Sequence, residues 1–474
     1  MKKLLALILA MAMVLSLVAC GGTGTAEETK APAAENPADG ETVAEAAVEV
    51  PAGKVEVAWW TYYGDTNIGY CQNIIDAFNE SQDKYFVTIH YQGSQAEMNA
   101  KIQATTKDQL PAMFSGAVEN VAMYDAAAFC ANMQSFVDAD SEGWTELDGT
   151  WPAIRAAYSD TEGKLVGYPM GYSYGGIFYN ADLLAEAGID PSTLTSYTAI
   201  YEASKKLVEG GYCTYGVGFH NDGFYPTAAI GREGLKAYNN NNGYSDERIT
   251  ECLYLSDATV NQSIYTMLEA YQKLHAEGLC VPYGSDYQAE IIPQIASGDC
   301  AMMIGVVSMT TKILSAVDGK FEVGIVPQPS CTEAGQRTGE PAGGTGNFIC
   351  DNGNAEQMQG AYEFIKFASS GDQAAYFAVS TGYLAPNQQA YDSAAYQEFM
   401  SVTWPSVSVV YDSLANSDDS ANNPYIPISN EMKAANKLMI ETVASDPNAD
   451  IASVIETAYG SIQEAIDLYN LSNP

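Results

Sequence analysis

The sequence predicts an α/β fold, because short strand-like segments alternate with amphipathic helical segments along most of its 474 residues. The first strand is predicted at Val55–Trp60, where β-branched and aromatic residues recur. The next segment predicts a helix whose apolar face is formed by Cys71, Ile74, Ile75 and Phe78. A second alternating segment, Phe86–Tyr91, completes a strand–helix–strand unit whose two strands should be parallel.

The same alternation continues to the C-terminus. Apolar runs that predict further strands are Lys164–Pro169, Ile177–Tyr179, Tyr215–Phe219, Cys300–Val307 and Phe321–Val326. Helical stretches lie between and after them, at Tyr197–Glu209, Ser263–Glu277, Glu356–Ser369 and Ile451–Tyr469. The chain beyond residue 53 is long enough for two or more globular units.

The N-terminus predicts an exported protein. Lys2 and Lys3 precede an uncharged run that ends at Ala19 and is shorter than the roughly 20 residues of a membrane-spanning helix. Residues 17–20 read LVAC, which is typical of lipoprotein signal peptides whose Cys, here Cys20, is acylated. We therefore predict a signal peptide at 1–20, a flexible acidic linker at 21–53, and an extracytoplasmic location with the lipid on Cys20 as the only membrane anchor.

Charge and cysteine spacing exclude several classes of partner. A net charge of −38 disfavours nucleic acid, and a set of only four arginines argues weakly against a phosphorylated ligand. The cysteines show no metal-binding spacing, so neither a metal nor a cofactor is predicted. Eight cysteines follow Cys20, and we expect mostly buried free thiols with room for one disulfide: Cys71, Cys130, Cys213, Cys252, Cys280, Cys300, Cys331 and Cys350.

Several segments, in order along the chain, resemble the family 1 extracellular solute-binding proteins, most closely the branch that binds glycerol 3-phosphate and multiple sugars. They read VEVAWW (55–60), AFNESQDKYFVTIHYQGS (77–94), EGKLVGYPMGYSYGGIFYNADLLAEAGID (162–190), IASGDCAMMIGVVSM (295–309), FEVGIVPQP (321–329) and AYEFIKFASSGDQAAYFAVSTGYLAPNQQAYD (361–392). The resemblance implies a monomeric binding protein without enzymatic activity, which captures a sugar or oligosaccharide and delivers it to the membrane permease of an ABC importer.

The resemblance also implies a two-lobe, periplasmic-binding-protein-like fold of type II, with the ligand cleft between the lobes and three interlobe crossings. The expected crossings are Tyr172–Ile177, Gly319–Val323 and Thr345–Phe348. Lobe 1 is expected to comprise 54–172 plus 321–346, and lobe 2 to comprise 173–320 plus 347–474. A ligand should lie beyond the carboxyl ends of the parallel strands.

The loop after the first strand carries side chains suited to a sugar. Aromatic rings can cover the C–H face of a sugar ring, while carboxylates and amides bind its hydroxyls. Candidates in this loop are Trp60, Tyr62, Tyr63 and Asp65. Trp59 is expected to point into the core, because neighbouring strand residues face opposite sides.

Further candidates come from the resemblance. They are Gln95, Glu119, Ser173 with its neighbour Tyr172, Ser308, Gly343 or Gly344, and Tyr383. Where the glycerol-phosphate branch has a late arginine, this chain reads Asn423–Ile426, which favours a neutral ligand and leaves a glycerol phosphate as the alternative. Trp404 and Tyr425 then become additional stacking candidates.

Two motifs suggest other functions. Gly171–Gly175 matches the G-x-S-x-G nucleophile elbow, but a strand rather than a helix is predicted next, so an exported carbohydrate or ester hydrolase remains an alternative. A surface adhesin that uses the same two lobes without taking part in transport is a further alternative function. Asp138–Gly143 resembles the start of a calcium loop, but position twelve is Gly149 in place of the bidentate Glu.

Overall fold

The computed structural model describes residues 49–245, 247–333, 339, 343–417 and 422–473. The predicted signal peptide with Cys20, and most of the predicted linker, lie outside the described residues. Within the described ranges, no helix combines the length and apolar character needed to cross a membrane.

Eight strands in the described ranges form two separate four-stranded sheets. They are β1 (Val55–Thr61), β2 (Tyr85–Tyr91), β3 (Met113–Ala117), β4 (Gly175–Asn180), β5 (Tyr215–Phe219), β6 (Cys300–Val306), β7 (Val323–Pro327) and β8 (Thr345–Ile349). The first sheet has the order β2-β1-β3-β8 and the second β5-β6-β4-β7. With the helices that surround the sheets, this is the expected α/β fold with two lobes.

The longer helices cover both sheets. They are α1 (Asp65–Ser81), α2 (Gln95–Ala104), α3 (Tyr197–Glu209), α4 (Phe224–Arg232), α5 (Ala258–Ala276), α6 (Thr310–Val317), α7 (Ala355–Ala368), α8 (Gly371–Thr381), α9 (Val407–Ala415), α10 (Ser429–Ser445) and α11 (Ile451–Ser472). Shorter helices lie at Val121–Ala126, Met133–Ala139, Thr145–Asp148, Pro152–Ala157, Ala181–Glu186, Leu253–Ser256, Ile292–Ser297, Gln388–Tyr391 and Ala394–Glu398.

The first sheet confirms the predicted strand–helix–strand unit. β1 and β2 are parallel, with Val57 opposite Val87, and α1 buries the predicted apolar face formed by Cys71, Ile74, Ile75 and Phe78. Trp59 is fully buried, as its alternation predicted, and its indole N–H donates to Ser115 Oγ at 3.0 Å.

The second sheet separates two apolar cores. Neighbouring residues of β4 face opposite sides, because successive side chains of a strand alternate. Phe178 belongs to the core that the second sheet shares with the first lobe, whereas Ile177 belongs to the core beneath α3 and α5. This sheet is therefore covered on both faces.

The strand pairing corrects the expected lobe boundaries at two strands. β7 lies within residues 321–346, which are expected in lobe 1, but it pairs with β4 in the second sheet. β8 coincides with the expected crossing Thr345–Phe348, but it pairs antiparallel with β3 in the first sheet. The chain therefore passes between the sheets after Pro327 and before Thr345. In addition, α7 packs on β1 in the first lobe, whereas α10 packs on α5 in the second lobe. The chain therefore passes between the lobes once more, between Thr381 at the end of α8 and Ser429 at the start of α10.

Weak strand patterns explain what the sequence missed. β3 reads MFSGA and β8 reads TGNFI, and both carry glycine and small residues in place of β-branched alternation. In β8 the small residue is required, because a Cβ on Gly346 would lie 2.2 Å from the ring of Tyr158. Lys164–Pro169 was predicted as a strand, but it forms only isolated bridges that include Leu165 and Tyr168.

Six of the eight described cysteines are buried, and Cys130 and Cys213 are partly buried. Burial raises the pKa of Cys252 to about 12. The expected set of mostly buried thiols therefore matches the structure.

Trp404 gives a stability prediction. It is 1% exposed and stacks on Phe178, with ring centroids 6.1 Å apart and an interplanar angle of 9°. Replacing it with alanine should lower the free energy of unfolding by about 3–5 kcal/mol, because a large buried ring leaves a cavity. Denaturant unfolding measures the loss, and a loss below about 1 kcal/mol would show that this ring is not a core residue.

Candidate functional site

Strand ends from both sheets border a cleft of about 390 Å³. It lies where parallel strands end and antiparallel strands begin, which is the usual ligand position in open α/β sheets. The lining residues are Tyr62, Gln95, Ala117, Glu119, Ser173, His220, Asp222, Phe224, Tyr225, Tyr287, Val306, Ser308, Met309, Gly343, Gly344, Thr345 and Lys433. A groove of about 360 Å³ between α10 and α11 has no strand end in its lining.

The first sheet contributes polar groups at three strand ends. Tyr62 follows β1, and its hydroxyl lies 2.8 Å from Thr345 Oγ1 at the start of β8. Gln95 is the first residue of α2, after Ser94, whose hydroxyl and the Glu97 carboxylate form a capping box. Glu119 lies in the short turn after β3.

The second sheet places two hydroxyls side by side. Ser173 precedes β4 and Ser308 follows β6, and these strands are antiparallel, so both residues lie at the same sheet edge. Ser173 Oγ donates to Ser308 Oγ at 3.5 Å. Gly344 lies against Ser173 with φ of +109°, a conformation that favours glycine, and a Cβ there would lie 3.1 Å from Ser173 Cβ.

An ion-pair cluster crosses the cleft. Lys433 of α10 lies with its ammonium 2.7 Å from Glu119 Oε1 and 3.3 Å from Asp222 Oδ1. Burial alone would lower the pKa of Lys433, but the two carboxylates outweigh it and raise that pKa. Burial would raise the pKa of Asp222, but Lys433 and the Phe224 backbone N–H hold it below its ordinary value. Lys433 and Asp222 are therefore charged at neutral pH.

Lys433 is one of three residues, spaced four apart in sequence, whose side chains contact the other lobe. The contacts pair Tyr425 with Asp125, Ser429 with Asn120, and Lys433 with Glu119. A spacing of four residues places side chains on one face of a helix. α10 and the residues just before it therefore form a polar seam against the segment that follows β3.

His220 adds a neutral imidazole to the cleft. It follows β5, its Nδ1 lies 3.1 Å from the Tyr225 hydroxyl, and its ring meets Tyr287 edge to face with centroids 5.2 Å apart. Burial lowers the pKa of His220 below its ordinary value of 6.5. The side chain is thus an uncharged hydrogen-bonding group near pH 7.

A second cavity of about 310 Å³ adjoins the cleft and shares Tyr62, Tyr287, Ser308, Met309 and Thr345 with it. It adds two predicted residues, Tyr63 and Tyr383, which are 4% and 7% exposed. Their rings present only a narrow surface to this space.

Nine of the predicted residues therefore border these two cavities, and four do not. The four are Trp60, Tyr172, Trp404 and Tyr425. The Trp60 ring lies 4.4 Å from the Lys101 ammonium, Tyr172 and Trp404 are each 1% exposed, and the Tyr425 hydroxyl donates to Asp125 Oδ2 at 2.7 Å. The Asp65 side chain lies outside the described part of the chain. None of the five tryptophans is among the described residues lining either cavity.

The sequence missed the residues that complete the charged and aromatic lining. In the larger cleft they are His220, Asp222, Phe224, Tyr225, Tyr287 and Lys433, and the adjoining cavity adds Tyr91 and Lys312. The first four follow the predicted strand Tyr215–Phe219 directly, so the strand-end rule that located Tyr62 could have located them. Lys433 carried no such signal, because it lies within a helix 314 residues from Glu119.

The two motifs that suggested other chemistry have structural roles. Ser173 leads into β4 and not into a helix, so the strand–turn–helix of a nucleophile elbow is not formed. Asp140, in the segment that resembled a calcium loop, accepts from the Lys366 ammonium at 2.6 Å and from the Tyr362 hydroxyl at 2.9 Å.

Two sequence comparisons identify relatives. The family model described as bacterial extracellular solute-binding protein matches residues 73–401. The sn-glycerol-3-phosphate-binding periplasmic protein UgpB of Brucella melitensis is 24% identical over 364 residues, which cover 73% of this chain and 78% of that protein. The protein of the same name from Yersinia pestis is 22% identical over 404 residues, with coverage of 83% and 86%.

Solved structures share the fold. UgpB from Mycobacterium tuberculosis in complex with glycerophosphocholine aligns with a TM-score of 0.70 at 16% identity, covering 88% of this chain and 100% of that chain. The cyclic alpha-maltosyl-1,6-maltose binding protein from Arthrobacter globiformis aligns with a TM-score of 0.67 at 19% identity, covering 87% and 99%. Since the family model spans most of the chain, the chain belongs to the bacterial extracellular solute-binding proteins and is the solute-binding protein of an ABC importer, not an enzyme.

Proposed function

We propose that the ligand is a neutral sugar or small oligosaccharide, bound in the cleft between the two sheets. The observation that carries this proposal is the Glu119–Lys433–Asp222 cluster. Lys433 is the only cation among the described residues that line the 390 Å³ cleft, and it is paired with two carboxylates. Delivery of the ligand to the permease would follow closure of the lobes around it.

The remaining lining suits a hydroxyl-rich ring. Tyr62, Phe224 and Tyr287 offer ring surface to sugar C–H groups. The Gln95 amide can donate to hydroxyls and accept from them, and the carboxylates accept from them. The same cleft thus holds both components of sugar recognition.

A phosphorylated ligand is the second candidate, because several relatives are named for glycerol 3-phosphate. Recognition of phosphate favours an arginine fork or an unpaired cluster of lysines. Lys433 is already shared between Glu119 and Asp222, whose combined charge would repel a phosphate. This arrangement favours the neutral ligand.

The protein would work at the membrane as a monomer, tethered by lipid on Cys20. The proposal rests on the LVAC sequence at 17–20 and on the linker composition of residues 21–53. Such a tether keeps the binding protein near its permease while leaving it free to capture ligand.

A ligand panel tests the neutral-sugar proposal. Maltose-type and other neutral oligosaccharides should raise the Tm by a few degrees at concentrations well above Kd, because a ligand at 100 times Kd adds about 2.7 kcal/mol of stability. Glycerol 3-phosphate and glycerophosphocholine should leave the Tm unchanged. Stabilisation by the phosphates alone would reject the proposal in favour of the second candidate.

Substitution of Tyr62 tests the site. Tyr62→Ala should weaken binding of the best sugar by about 1–3 kcal/mol, since it removes a ring from the cleft. Trp60→Ala is the matched control, because it removes a neighbouring ring that lies outside both cavities, and it should keep the affinity of the unchanged protein. Calorimetric titration measures both, and equal affinities for the two variants would remove Tyr62 from the site.

The anchor has its own test. Cys20→Ser should shift the protein from the membrane fraction to the soluble fraction, because the acylated thiol would be lost. Fractionation followed by immunoblotting measures the shift. A variant that stays with the membrane would show that residue 20 is not the anchor.

A further inference from the structure

Cys130 and Cys350 lie directly opposite each other in an antiparallel β-bridge. The backbone hydrogen bonds beside them join Ala131 N–H to Ile349 O and Asp351 N–H to Phe129 O, both at 2.9 Å. These bonds flank the cysteines and do not link them. The two cysteines therefore form a non-hydrogen-bonded pair, the closer of the two antiparallel arrangements.

Such a pair meets the requirements of a disulfide. Residues at a non-hydrogen-bonded position have Cα atoms about 4.5 Å apart, and disulfides accept Cα separations of about 4.4–6.8 Å. Opposed residues also project to the same face of the sheet. We propose that Cys130 and Cys350 are joined by a disulfide in the exported protein.

The other thiols have no such geometry. Cys213, Cys280 and Cys300 lie near the starts of β5 and β6, but Cys300 is opposite Tyr215 and Cys280 is opposite Val217. Across the described ranges, no other β-bridge or strand pairing sets two cysteines against each other.

Oxidation needs an acceptor, and the extracytoplasmic location provides one. Each thiol loses its proton and the sulfur–sulfur bond forms, while the two electrons and two protons reduce a disulfide-containing oxidant to two thiols. Cys350 is fully buried and Cys130 partly buried. Burial keeps thiolate scarce in the folded protein, so the bond should form during folding, before the pair is enclosed.

The bond would close a loop that contains the entire second sheet, because β4, β5, β6 and β7 all lie between the two cysteines. It would also hold β8, whose first residue, Thr345, lines the cleft. A cross-link that closes so long a loop lowers the conformational entropy of the unfolded chain and thereby stabilises the folded protein.

Differential alkylation of the full-length exported protein tests the bond directly. Free thiols are blocked in denaturant without reductant, and the remaining cysteines are reduced and labelled with a reagent of different mass. Peptide mapping should find the second label on Cys130 and Cys350 and on no other cysteine of the mature domain. First label on both residues, or second label on a different pair, would overturn the assignment.

A matched pair of variants adds a second readout. Reductant should lower the Tm of the unchanged protein and of Cys213→Ser by several degrees, because both keep the proposed bond. Cys130→Ser should have the same Tm with and without reductant. An equal response to reductant in all three proteins would overturn the proposal, and the alkylation map decides if Cys130→Ser fails to fold.

Discussion

The site depends on one electrostatic arrangement, in which Lys433 from one lobe lies between Glu119 of the other lobe and Asp222 of its own. The three side chains are partly buried, with exposed fractions of 26% for Lys433, 14% for Glu119 and 33% for Asp222, and a partly desolvated charge needs a partner of opposite sign. The cluster therefore links three requirements: the two lobes are held together, the cleft keeps its polar wall, and the lysine is not available to a phosphate. Ser429, the first residue of α10, and Tyr425, which lies just before this helix, extend the same seam.

Sheet topology explains why residues so distant in sequence share one cleft. Parallel strands end, and antiparallel strands begin, at the same edge of a sheet. Tyr62, Glu119, Ser173, Ser308 and His220 each lie beside such an end. The two sheets need only face each other at these edges to assemble a polar and aromatic lining from short loops.

Much of this was predictable from local pattern. The α/β class, β1, β2 and the bounds of α3 followed from alternation and helical periodicity. The rule for strand ends pointed to Tyr62 and the family resemblance to Glu119, and both residues line the cleft. The pairing of β7 and β8 did not follow, because TGNFI has no strand pattern and pairing is decided by tertiary contacts such as that between Gly346 and Tyr158. Trp404 and Tyr425 were misjudged because an aromatic ring in a loop has the same sequence signal in a core and in a binding site.

The absence of tryptophan from the described lining of both cavities has a spectroscopic consequence. Direct contact with a ligand falls on tyrosine rings such as Tyr62 and Tyr287, so ultraviolet difference absorbance and aromatic nuclear resonances of tyrosine report occupancy at the point of contact. Tryptophan emission reports a different event. The emission of Trp60, which lies beside Lys101, and of Trp404, which stacks on Phe178, responds to rearrangement of their surroundings. Tyrosine and tryptophan signals together therefore separate ligand binding from movement of the protein around the site.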